Sequence, residues 1–226
     1  MASNSSDAPV LIVGLGRFGA AAASKLERLG REVLVIDTDA ALVQKWSGVA
    51  THAVQADAGD IDALRQVGAQ GFSIAIVAIG ASLEASVLAT SNLDELGVPQ
   101  IWAKAMSHSH GVILQRIGAH HVIYPEAESG DRIAHLVSGQ VLDFIEFDDE
   151  LSLAKLRPPL AARGAALSTL ALRRKHGITV VGVRSPGQKF VYAGADTIVG
   201  EDDLIVVSGT AADIDGFARL PRALKL

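Results

Sequence analysis

Short apolar runs recur along the first 140 residues, each followed by a longer stretch that mixes polar and apolar positions at helical spacing. The runs are VLIV (10–13), EVLVID (32–37), THAVQ (51–55), IAIVAI (74–79), QIWAK (100–104) and HVIY (121–124). They read as apolar on both faces, as parallel strands must be when helices cover both sides of a sheet. The intervening stretches predict helices near 17–29, 39–47, 60–67, 82–96, 109–117 and 126–138. Gly30, Gly48, Gly68, Gly97 and Gly118 stand where a left-handed C-cap would end a helix. This repeated βα pattern predicts an α/β fold, a Rossmann-like doubly wound parallel sheet.

The pattern changes after residue 140. VLDFIEFDDELSLAKLRPPL reads as one or two strands with a turn at DDE, and Pro158–Pro159 suits a connector or an edge. Then come a helix (LSTLALRRKHG), a strand (ITVVGVR), a turn (SPGQ), a short strand (FVYA), another strand (DLIVVSG) and a helix near 211–218. The expected division is a disordered tail at 1–8, a nucleotide-binding domain at 9–140 and a smaller α+β C-terminal domain at 141–226.

Composition narrows the partners. Apolar residues make up 49% of 226, enough for a sizeable core. Lys and Arg number 20 against 25 Asp and Glu, a net charge of −5 that argues against nucleic acid as the main partner. No cysteine is present, so disulfides and thiolate metal sites are excluded, which fits a reducing cytosol. No apolar run reaches the roughly 20 residues of a membrane helix, and the N-terminus has no signal-peptide pattern.

The chemistry concentrates at VLIVGLGRFG. Gly14, Gly16 and Gly19 form G-x-G-x-x-G directly after a strand and at the mouth of a helix. The first glycine permits the tight turn, the second lets backbone N–H groups reach a phosphate, and the third lets helix and strand pack closely. Asp37 ends the second strand about 20 residues on, where a carboxylate accepts both hydroxyls of an adenosine ribose. It disfavours a 2′-phosphate and so NADP, but does not separate NAD from ATP or ADP. Asp39 either joins that acid or caps the next helix. Asp57 either meets the adenine edge, with Ala58 beside it, or starts the helix at Gly59–Asp60. Arg17, next to Phe18, either binds phosphate bidentately or lies in solvent. The histidine pairs in HSH (108–110) and HH (120–121) lack i, i+4 spacing and read as structural.

IVGLGRFG, VLVIDTD, THAVQADA, IVAIGA, IWAKA and IGAHHVIYPE occur in that order. The set resembles the regulatory subunits of Ktr- and Trk-type bacterial potassium uptake systems, built on RCK domains, and is nearer the Ktr-type gating-ring subunit. The resemblance covers nearly the whole chain. It implies a cytoplasmic homo-oligomer, a dimer-based octameric ring docked on a membrane potassium translocator. It implies ATP or ADP as ligand, or NAD/NADH in some branches. Gly14, Gly16 and Gly19 match the phosphate loop and Asp37 the ribose acid. Arg17 matches an arginine that reaches the terminal phosphate of a neighbouring subunit's nucleotide. Lys104 matches a phosphate-binding lysine, and Glu126 a carboxylate that binds a divalent cation near the phosphates. Read without the family, Lys104 is a strand-end lysine and Glu126 complements a helix dipole after Pro125. Arg173 matches an arginine of a cyclic di-AMP site, although Ala193 stands where that site has a proline. No catalytic residue is assigned. The rival class is an NAD-dependent oxidoreductase, since fold does not fix function.

Overall fold

A computed structural model describes residues 8–137 and 141–222. The chain divides into two units, Met1–Glu126 and Ala127–Leu226. The sequence pattern places the change at residue 140, which lies outside the described residues. The earlier division arises because the helix Pro125–Val137 (α6) buries none of its residues fully, while its Leu136 packs on the core of the second unit. Of the expected tail only Ala8 is described, and its carbonyl accepts from the Arg31 guanidinium.

The first unit is built on six strands: β1 (Val10–Val13), β2 (Val33–Asp37), β3 (His52–Gln55), β4 (Ile74–Val77), β5 (Gln100–Lys104) and β6 (His121–Ile123). They run in the order β3-β2-β1-β4-β5-β6, and every pairing is parallel. Alternate residues supply two cores. Leu11, Val13, Leu34, Ile36, Val77 and Ile101 pack with Leu64, Leu93 and Leu114 of α3 (Ile61–Gln66), α4 (Leu83–Glu95) and α5 (His108–Arg116). Val10, Ile12, Val33 and Val35 pack with Ala23 and Trp46 of α1 (Arg17–Arg28) and α2 (Ala40–Trp46). Burial on both faces is what an all-parallel sheet needs. The two edge strands depart from the expectation: β3 and β6 are largely exposed or half-buried, because each has a neighbour on one side only. Gly30, Gly68, Gly97 and Gly118 adopt left-handed backbone. Gly48 does not, because Ser47 ends α2 in ordinary helical geometry.

The second unit is an antiparallel sheet in the order β10-β9-β11-β8-β7. Its strands are β7 (Asp143–Asp148), β8 (Leu151–Leu156), β9 (Thr179–Arg184), β10 (Val191–Tyr192) and β11 (Leu204–Gly209). One face carries Phe144, Leu156, Val180, Ile205 and Val207 onto Ile214 and Phe217 of α9 (Ala211–Ala218). Ile145, Phe147, Val191 and Tyr192 remain exposed. The helix expected over 167–177 is broken into α7 (Leu167–Leu170) and α8 (Leu172–His176) by Ala171, the one non-glycine residue with positive φ, at 54°, among the described residues. In an unbroken helix Leu172 would sit about 140° around the axis from Leu167. The left-handed residue turns Leu172 inward, so that Leu167, Leu170 and Leu172 all meet the core.

Candidate functional site

Strand order reverses between β1 and β4, and the crevice at such a switch point, beyond the carboxyl ends of the strands, is where open α/β sheets bind ligands. Gly14 follows β1, Asp37 ends β2, Asp57 follows β3, Lys104 ends β5 and Glu126 follows β6. The parallel sheet therefore brings to one edge most of the residues the glycine motif and the family pattern single out.

The loop is held from both sides. The Gly14 N–H donates to the Ile36 carbonyl at 2.8 Å, and the Leu15 N–H donates to Asp37 Oδ2 at 2.6 Å. Gly14 has φ of 99°, and a side chain there would press on the Ala78 backbone at 3.3 Å. At Gly19 a Cβ would fall on the Gly14 carbonyl oxygen and lie 2.9 Å from the Ala78 Cβ. At Gly16 a Cβ would meet nothing within 4 Å, so this glycine borders open space. Phe18, half-buried, packs on the core beneath the loop.

The mouth of α1 is unlike those of its neighbours. Asp39, Asp60, Ser82 and Ser107 cap α2, α3, α4 and α5 with side-chain oxygens. Gly16 caps α1 with no side chain, and its first turn holds no acid. The orphan N–H groups of that turn and the positive end of the helix dipole are thus left without a side-chain cap, at a surface that Gly16 keeps open.

The acids divide by role. Each Asp37 oxygen already accepts one N–H, from Leu15 (Oδ2) and from Asp39 (Oδ1, 2.9 Å). A carboxylate has about four lone-pair positions, so two remain for a ribose diol. Asp39 is the α2 cap, accepting from Ala41 at 2.8 Å and Leu42 at 3.3 Å. Asp57 accepts from the Gly59 N–H at 2.8 Å in a tight turn, and Asp60 takes the cap of α3. Ala58 is buried, and its carbonyl accepts from Asn92.

Lys104 and Glu126 meet toward the other end of the edge, close enough to Arg17 to feel its charge. Lys104 Nζ donates to Glu126 Oε1 at 2.6 Å. The lysine side chain is 11% exposed and the glutamate 64%. That hydrogen bond holds the Glu126 carboxyl below its usual range, with smaller help from the Lys104 and Arg17 charges. Arg17 is exposed and has no hydrogen-bond or ion-pair partner among the described residues. It stands in the first turn of α1, where a cation opposes the helix dipole. Sequence reasoning missed Gly80: a side chain there would begin 3.1 Å from Lys104 Nζ, so this glycine leaves room for the amine. Its signal was a glycine directly after the apolar run IAIVAI.

Elsewhere Arg173 lies in α8, with its Nε donating to Thr179 Oγ1 at 3.0 Å, while Ala193 packs on the second core. The histidines have local roles. His110 is buried, its Nδ1 accepting from the Met106 N–H, and burial lowers its pKa. His120 Nδ1 accepts from Ile101, and His121 stacks on Trp102 with centroids 3.9 Å apart. Among the described residues no helix is long and apolar enough to cross a membrane.

Comparison with known proteins agrees with this fold. The TrkA-N domain model matches residues 10–125 and the TrkA-C domain model residues 153–221. The chain is 36% identical over 209 residues to the Ktr system potassium uptake protein C of Bacillus subtilis (strain 168), covering 92% of this chain and 95% of that one. The GsuK RCK domain superposes with a TM-score of 0.64 at 18% identity over 96% of this chain, which spans 48% of that chain. A structure of GsuK bound to ADP matches 61% of this chain and 35% of its own, with a TM-score of 0.51 and 25% identity.

Proposed function

The chain belongs to the family built from TrkA-N and TrkA-C domains, and on that premise we propose that it is a nucleotide-binding regulatory subunit of a potassium uptake system. Its ligand is ATP or ADP, and it acts from the cytoplasmic side on a membrane potassium translocator as part of a homo-oligomeric ring. The observation that carries this reading is the uncapped mouth of α1. Gly16 opens onto it, Asp37 keeps two lone-pair positions there, and Arg17 lies unpaired beside it. The likeness to a Ktr system protein over almost its whole length supplies the potassium uptake context.

Arg17 and Lys104 bind the terminal phosphates, with Arg17 serving the nucleotide of a neighbouring subunit. Glu126 holds a divalent cation whose remaining ligands are phosphate oxygens and water, because one carboxylate cannot fill a hard cation's shell. A ligand shifts a conformational equilibrium only by its difference in affinity for the two states. Moving a ring from 1:99 to 99:1 needs about 5.5 kcal/mol. Charge-assisted contacts contribute on the order of 1.5–3 kcal/mol each, so two or three γ-phosphate contacts suffice. No hydrolysis is required, and no residue is given a catalytic role.

Thermal unfolding with ATP, ADP and NADH is the first test. At 100 times its dissociation constant a ligand adds about 2.7 kcal/mol of stability. Stabilisation by NADH alone would overturn the ATP/ADP assignment in favour of an NAD-responsive regulator, since Asp37 accepts the same ribose diol. Potassium flux in vesicles holding the translocator and this protein tests the regulatory step: ATP raises flux above the ADP level, and Arg17→Ala removes the difference. Equal flux with both nucleotides would show that the nucleotide is not the switch.

A further inference from the structure

The second unit carries a cleft of about 340 Å³ that the nucleotide site does not use. Arg157, just past β8, and Arg184, at the end of β9, line it together with Asp202, Leu204 and the turn Ser185–Gln188. The register explains why the arginines share this end of the sheet. β11 lies between β8 and β9, with Leu204 opposite Arg184 and Ile205 opposite Leu156. The chain entering β11 is thus flanked by one guanidinium on each side. The turn is stiff: Pro186 fixes one φ, Gly187 takes φ of 72°, and the Gln188 N–H closes on the Ser185 carbonyl at 3.0 Å.

Four other arginines of this unit are engaged. Arg132 pairs with Asp143, Arg163 with Glu201 and Arg219 with Asp215, and Arg173 donates to Thr179. Arg157 and Arg184 have no hydrogen-bond or ion-pair partner among the described residues, although Asp202 lines the same cleft. The neighbouring acids are committed elsewhere: Glu201 to Arg163, and Asp203, buried, to the Gly200 N–H. Arg157 and Arg184 are exposed and outnumber the single carboxylate of Asp202 in the cleft, and a guanidinium fork matches phosphate oxygens two at a time. The volume is near the lower end of small-molecule sites, so the ligand is small. Asp202 would repel a polyphosphate but accept from a hydroxyl.

We infer that this cleft binds a small hydroxylated phosphate monoester, with the phosphate between Arg157 and Arg184 and a hydroxyl on Asp202. It is a second ligand site, separate in the chain from the glycine loop, and does not depend on the nucleotide reading. Equilibrium dialysis of the full chain tests it, with inorganic phosphate and glycerol 3-phosphate as probes and ADP present throughout. Wild type binds one glycerol phosphate per chain more tightly than inorganic phosphate. Arg157→Gln/Arg184→Gln weakens both probes by about tenfold or more, as loss of charge-assisted contacts requires. Asp202→Asn narrows the difference between the two probes. Arg174→Gln, an exposed arginine outside the cleft, changes neither, and unchanged thermal melting shows that each variant is folded. No binding by wild type at millimolar probe, or equal binding by wild type and the double arginine variant, overturns the site. Equal affinity for the two probes in wild type overturns the role of Asp202.

Discussion

The two sheets of this chain handle their ends differently. In the parallel sheet all six strands point the same way, so the residues after each strand collect at one edge. Gly14, Asp37, Asp57, Gly80, Lys104 and Glu126 come together there from six places in the sequence. In the antiparallel sheet neighbouring strands point in opposite directions, so strand ends are shared between two edges. A cleft there joins the end of β9, the exit of β8 and the entry to β11. Parallel topology makes a site almost as a by-product, whereas an antiparallel sheet makes one only where strand ends and starts coincide.

The strongest test of this contrast removes the core of one unit alone. Phe217→Ala deletes a fully buried ring beneath the antiparallel sheet and should cost about 3–5 kcal/mol. Both tryptophans, Trp46 and Trp102, lie in the first unit. The loss should appear in circular dichroism as an early transition that tryptophan fluorescence misses. Coincident transitions by both probes would show that the units unfold as one body.

A smaller effect should come from Asp37→Ala. It strands the N–H groups of Leu15 and Asp39 and should cost roughly 1–3 kcal/mol while abolishing nucleotide-induced stabilisation. Unaltered urea unfolding would mean that this acid is not a strut of the loop. Asp39→Ala should cost about 1 kcal/mol as a lost helix cap and leave nucleotide affinity nearly unchanged. Loss of affinity in calorimetry, with stability retained, would make Asp39 a ligand-binding residue and not only a cap.

The smallest effect is a titration. The Glu126 carboxyl lies below its ordinary value of 4.5, chiefly because Lys104 donates to it. A depressed acid keeps its contact fully above the ordinary value and loses it as pH falls through the lowered one. In Lys104→Met the midpoint, followed by carboxyl NMR, should rise toward 4.5. A midpoint that stays put would assign the shift to another cause.

Most of the first unit could be read from its sequence, because a sheet buried on both faces writes short unbroken apolar runs and most of its helices are followed by glycines with positive φ. The loop and Asp37 were legible for the same reason: their spacing is fixed by one strand–turn–helix geometry. What stayed hidden depends on contacts between distant residues. The local bonds that Asp39 and Asp57 accept, from Ala41 and Gly59, join residues whose spacing alone left two roles open to each acid. Gly80 has meaning only beside Lys104. The break at Ala171 carries no glycine to announce it, and follows from where Leu172 must point. The pairing of Arg157 with Arg184 depends on a register that alternation along each strand does not specify.

The Lys104–Glu126 contact gives the nucleotide edge an internal competitor. A phosphate that approaches Lys104 meets an amine already engaged by a carboxylate fixed to the next strand end. An intramolecular rival of this kind acts like a dissolved one at millimolar concentration or above, on the order expected for short tethers. The contact therefore weakens whatever hold Lys104 has on a phosphate by a constant factor, and Lys104 is released in full only when Glu126 is drawn away or neutralised.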